Sequence, residues 1–111
     1  MSAPSIETIQ RYCAGTFGVT LIDLKSDRRD APTVRARHAA MWLARHLTPH
    51  SLPMIARHFY RDHTTVLHAV QRVQGRMQAD PETAGTMTTL AAELGRLAQS
   101  DAANPAKEQG Q

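Results

Sequence analysis

Apolar residues recur at helical spacing along most of the chain, and no stretch alternates apolar with polar residues as a half-buried strand would. Ile6, Ile9, Cys13 and Phe17 share one face of a segment from Ser5 to Phe17, and Gly18 supplies a stop. A short element from Leu21 to Lys25, read as helical, leads into the polar stretch SDRRDAPT (26–33), read as a loop. The spacing then predicts a longer helix, Val34 to Leu47, with Ala36, Ala40, Leu43, Ala44 and Leu47 on one face and Arg35, Arg37, His38 and Arg45 mostly outside. Thr48 and Pro49 should end it, which separates His46 from His50 and speaks against a metal site shared by the two.

Ser51 is placed to cap a helix running to about Phe59, with Pro53 in its first turn and Leu52, Ile55, Ala56 and Phe59 as the inner stripe. Tyr60 and Arg61 make a tight connection. Asp62 or His63 then opens another helix with Val66, Leu67, Val70, Val73 and Met77 inward. Two short helices joined by a few residues, the second starting on polar side chains, form the helix-turn-helix pattern. Asp80 and Pro81 read as the cap and first position of a last helix, Glu82 to Gln99, with a stripe of Met87, Leu90, Ala91, Leu94, Leu97 and Ala98. The expected class is all-α: a compact helical bundle containing a helix-turn-helix. Residues 1–4 read as a short lead, 5–99 as one domain and 100–111 as a disordered polar tail.

With 111 residues, 41% apolar but only 5% aromatic, the chain allows one modest core resting on Ala, Leu, Val, Ile and Met. The single cysteine, Cys13, excludes an internal disulfide and a Cys-rich zinc site. The chain shows neither an apolar run of membrane-spanning length nor a signal-peptide pattern, so a cytoplasmic protein without membrane association is expected. Charge changes the picture more. Between Arg28 and Arg76 stand nine arginines against two acids, a net +7, while the rest of the chain sums to −4; all six histidines lie in the same basic block. Such asymmetry points to a polyanion, most simply nucleic acid, and arginine rather than lysine favours planar recognition of phosphates and guanine edges. No phosphate-binding loop, nucleophile elbow or paired carboxylates stand out, and the histidines lack zinc-motif spacing, so no catalytic residue, cofactor or metal is expected.

The stretch RDHTTVLHA (61–69) poses the sharpest question. At the start of a recognition helix, Asp62 can accept from a cytosine amino group, His63 and the Thr64 and Thr65 hydroxyls can pair with bases or phosphates, and threonine methyls can touch thymine. The same residues also suit an ordinary N-cap and first turn. Residue chemistry alone leaves both readings open.

A resemblance bears on the choice. Residues from Ile6 to about Gln99 resemble the C-terminal DNA-binding domain of the bacterial replication initiator DnaA, most strongly in HSLPMIARHFYRDHTTVLHA (50–69), and also in IDL (22–24), SDRR (26–29) and RARHAAMWLARHLT (35–48). The resemblance implies a helical bundle that reads a short asymmetric box of the type TTATCCACA in double-stranded DNA. It implies major-groove contacts from Asp62, His63, Thr64 and Thr65, apolar base contacts from Leu52 and Pro53, and minor-groove insertion of Arg29. It also implies phosphate contacts from Arg37, His38 and Arg45, with Arg61 on the DNA backbone too. His68 matches a family histidine for which a structural role serves as well.

Three positions depart from the family. Its Phe-Gly-Gly before Arg-Asp-His is here Phe59 and Tyr60, one residue shorter and without glycine. Its Pro-Arg-Gln is Ala36-Arg37-His38, and its Glu after Ser-Leu-Pro is Met54, which leaves Ser51 to cap alone. Nothing resembles the ATPase portion of DnaA. The expectation is a complete small protein, nucleoid-associated, binding DnaA-box-like sites as a monomer and regulating transcription or replication initiation. The alternative is an interaction module that kept the fold and binds a replication or regulatory protein, with the last helix as the suspected surface.

Overall fold

The structure, a computed structural model, describes residues 3–102. Among these there are six helices and no strand: α1 (Ile6–Phe17), α2 (Leu21–Lys25), α3 (Ala31–Leu47), α4 (Leu52–Arg57), α5 (His63–Ala79) and α6 (Pro81–Ala102). The all-α expectation holds. The first two residues and the stretch from 103 to 111, most of the expected tail, lie outside the described residues.

Short polar side chains set where helices begin, because the first backbone N–H groups of a helix have no partner within it. Ser5 accepts from Thr8 N–H, Thr20 from Asp23, Asp30 from Thr33, Ser51 from Met54 and Asp62 from Thr65. Gly18 ends α1 in the left-handed conformation (φ 74°), which costs a residue without a β-carbon little.

The central helix is α3, packed against α1 on one side and α5 on another. Its buried face is built from Ala36, Ala39, Ala40, Met41, Leu43 and Ala44, and the run of alanines lets neighbouring backbones come close. Helix α4 packs on α5, and α6 closes the bundle with Met87, Leu90 and Leu94 buried in the common core. The stripe of α6 is therefore largely core and leaves little apolar surface to offer a partner.

Five expectations about individual segments need correction. Helix α3 starts at Ala31, not Val34, because Asp30 accepts from both the Thr33 N–H and its hydroxyl and Pro32 is tolerated in the first turn. Helix α4 is shorter than expected and ends at Arg57, whereas α6 runs on to Ala102. Leu67 is exposed: each helical residue turns by about 100°, and the inward arc of α5 is filled by Val66, Ala69, Val70 and Val73. Arg37 is not on the outer surface but buried within the fold.

Phe59 is the largest fully buried side chain and the only one of that group contributed by the turn between α4 and α5. Replacing it removes the anchor of that turn. Phe59→Ala should cost about 3–5 kcal/mol, measured by urea unfolding. A loss below about 1 kcal/mol would mean that α4 and α5 hold their relation without it.

Candidate nucleic-acid interface

Helices α4 and α5 flank a five-residue connection, His58 to Asp62, and form the helix-turn-helix unit. Three features hold it. Phe59 fills the core beneath it. Gln10, fully buried on α1, donates from Nε2 to the His58 carbonyl at 2.9 Å, which ties down the end of α4. Arg61 donates to the Phe59 carbonyl at 2.7 Å and reaches across to the Ser26 carbonyl, also at 2.7 Å.

The Ser26 carbonyl also receives Arg37 Nη2 at 2.9 Å, while Arg37 Nε donates to the Leu24 carbonyl at 2.9 Å. Arg37 thus closes the C-terminal end of α2, where helix carbonyls lack internal partners. Burial, and then the nearby Arg61 charge, push its pKa below the ordinary guanidinium value. Of the arginines expected on phosphates, Arg37 therefore spends three of its five N–H donors on backbone carbonyls and Arg61 two. What they do is fix the loop that carries Arg28 and Arg29 to the turn that precedes α5.

The start of α5 bears out the N-cap reading of its polar run. Asp62 Oδ1 accepts from Thr65 N–H at 3.0 Å and from the Thr65 hydroxyl at 3.3 Å, so it is a genuine N-cap. Those bonds, the Thr65 N–H first, hold its carboxyl below the usual carboxylate range. Asp62, His63, Thr64 and Thr65 are nonetheless all exposed, and Leu67 lies beside them on the outer face. Capping and surface exposure coexist in the same residues. In α4, Ser51 caps Met54 alone; Pro53 and Met54 are exposed and Leu52 half-buried.

Arg29 and Arg45 are exposed, and among the described residues neither forms an ion pair. His38 is half-buried and lines a cleft of about 720 Å³ together with Arg29, Arg35, Arg72 and Arg76, over an apolar floor that includes Val73 and Met87. Burial, followed by the charges of Arg72, Arg37 and Arg76, lowers the imidazole's pKa from its ordinary 6.5. The shift favours the uncharged ring, a neutral hydrogen-bonding group like the family's glutamine. No cluster of three or more metal-ligating side chains occurs among the described residues.

Gln10, the Ser26 carbonyl and the cleft arginines 35, 72 and 76 did not emerge as site residues from the sequence. Gln10 could have been found, since it lies four residues after Ile6 and three before Cys13 on the inner face of α1. A backbone acceptor such as Ser26 leaves no mark in side-chain pattern.

The fold and this arrangement define a helix-turn-helix module with an exposed, polar recognition-helix start. Comparison with known proteins places it further. A family model described as the bacterial DnaA protein helix-turn-helix matches residues 6–73. The chromosomal replication initiator protein DnaA of Caulobacter sp. (strain K31) is 44% identical over 91 residues, covering 81% of this chain and 19% of that protein. DnaA of Rhodopseudomonas palustris (strain HaA2) is 48% identical over 93 residues, covering 83% and 18%. A crystal structure of a DNA replication initiation factor superposes with a TM-score of 0.77 at 32% identity, over 84% of this chain and 29% of that one. The chain belongs to the bacterial DnaA helix-turn-helix family, whose matched portion is a DNA-binding domain. It spans about one-fifth of the length of these curated relatives.

The lowered pKa of His38 has a stability consequence with a definite sign. A histidine harder to protonate when folded makes the unfolded chain bind more protons below pH 6.5, so its contribution is full above that value and is lost as pH falls through the folded pKa. His38→Gln should therefore flatten part of the fall in Tm as pH is lowered below 6.5. An unchanged pH profile would mean that the imidazole protonates as freely in the folded protein as in the unfolded chain.

Proposed function

We propose that this chain is a sequence-specific binder of duplex DNA at DnaA-box-like sites, acting without ATPase chemistry as a regulator of replication initiation or transcription. The carrying observation is the start of α5, where an Asp62 cap presents exposed His63, Thr64 and Thr65 while the Ser26 carbonyl links this helix to the Arg29 loop. In this reading Asp62, His63, Thr64 and Thr65 face base edges in the major groove, Leu52 and Pro53 add apolar contact, and Arg29 enters the adjacent minor groove. Arg45 and His38 engage phosphates. Arg37 and Arg61 act mainly by holding the loop and turn in place, with any remaining donors turned to the DNA backbone. The site read is asymmetric, so one copy binds one box.

A second reading, a protein-interaction module for a replication or regulatory partner, draws on the cleft rather than on α6. Arg29, Arg35, Arg72 and Arg76 converge there, and only Asp80 and Glu82 oppose them from its lining. Such a cleft suits an acidic segment. Among the described residues no helix is long and apolar enough to cross a membrane, and neither reading involves one.

Fluorescence anisotropy against a TTATCCACA duplex and a scrambled duplex, at two salt concentrations, separates the readings. Box preference by a factor of about a thousand is expected, the low end of specific recognition. Equal salt-sensitive binding to both duplexes would reject base readout, and binding to neither would favour the interaction module. His63→Ala or Thr65→Ala should weaken box binding by roughly 1–3 kcal/mol while sparing the scrambled duplex. Arg45→Ala should weaken both alike and make the salt dependence shallower.

A further inference from the structure

Tyr60 is the only non-glycine residue in the left-handed backbone region among the described residues, with φ 57°. An L-residue with a bulky side chain is disfavoured there, and such strain persists where something outside the local backbone makes it worthwhile. Burial does not account for it, because the side chain is 76% exposed. Its neighbours turn the other way: Phe59 goes into the core, and the Arg61 guanidinium bonds the Phe59 and Ser26 carbonyls. The phenol is left outside, two residues before the Asp62 cap that opens α5. Lys25, from the end of α2, places its ammonium 5.9 Å from the ring centroid.

We infer that Tyr60 is a contact to the DNA backbone, its ring lying against a sugar and its hydroxyl donating to a phosphate, with the Lys25 ammonium beside it. This inference rests on the DNA-binding reading above. A hydroxyl donor on a ring with an ammonium 5.9 Å from its centroid matches a phosphate diester, which offers only acceptors and negative charge. The position favours backbone over bases: the recognition helix enters the groove by its N-terminal residues, and the turn before it stands at the groove's phosphate wall. Where the family pattern has glycines, this chain has an aromatic side chain in a glycine-like conformation. Strain, exposure and the neighbouring cation are then explained together.

The test compares the wild-type protein with Tyr60→Gly and Tyr60→Phe, reading Tm and the Kd for the TTATCCACA and scrambled duplexes. Glycine relieves the backbone, so Tyr60→Gly should raise Tm by about 5 °C while weakening binding about tenfold on both duplexes. Tyr60→Phe should leave Tm unchanged and lose most of the same factor. Tyr60→Asn, which tolerates the left-handed region, provides a second variant if the glycine form fails to fold, and a similar uniform loss is expected. Wild-type affinity in any of the three variants would overturn the inference, as would a loss confined to the box, which would mean a base contact. Failure of the wild type to bind either duplex would instead reject the DNA-binding reading, and the inference with it.

Discussion

A single backbone carbonyl, that of Ser26, receives two guanidinium groups, one from Arg37 inside α3 and one from Arg61 in the turn before α5. Bringing two like charges together with one of them buried is costly unless their N–H groups are satisfied. Here the carbonyls of Leu24 and Phe59 take further donors. The result is a junction of three segments: the end of α2, the middle of the bundle and the helix-turn-helix. The position of the Arg29 loop relative to the turn before α5 is set through it.

At the start of α5, one set of residues both caps the helix and stays on the surface. Asp62 turns one oxygen to the Thr65 N–H and hydroxyl, which secures the first turn, and remains on the surface. The side chains that follow stand clear of the core, whose contribution from α5 begins at Val66. A cap in this position is not an alternative to an outward-facing surface. It is what holds that surface in a fixed conformation, so that a ligand meets side chains already arranged.

Much of this was legible in the sequence, for identifiable reasons. The bounds of α1 and α2 followed from Ser5, Gly18 and short apolar stripes, and the helix-turn-helix from Ser51, the Asp62 run and two adjacent amphipathic segments. The start of α3 was missed because Asp30-Ala31-Pro32 has the composition of a loop, although Asp80-Pro81 shows the same arrangement opening a helix. Leu67 departs from its expected place because apolar character alone does not fix inwardness, and the inner arc of α5 is already full. Arg37 was harder: an arginine on a helix reads as solvated unless its carbonyl partners are known, and those come from 11 to 14 residues earlier in the chain. The shortened turn was visible at Tyr60, but its left-handed backbone was not.

The central claim is that the Arg29 loop, the start of α4 and the start of α5 act as one surface. The most direct measurement is an NMR titration of ¹⁵N-labelled protein with a duplex carrying the box. The expected result is that the largest amide shifts fall together in 26–30, 51–54 and 60–65, saturating at one protein per duplex. Shifts confined to α1, α6 or the cleft, with residues 62–65 unmoved, would contradict it.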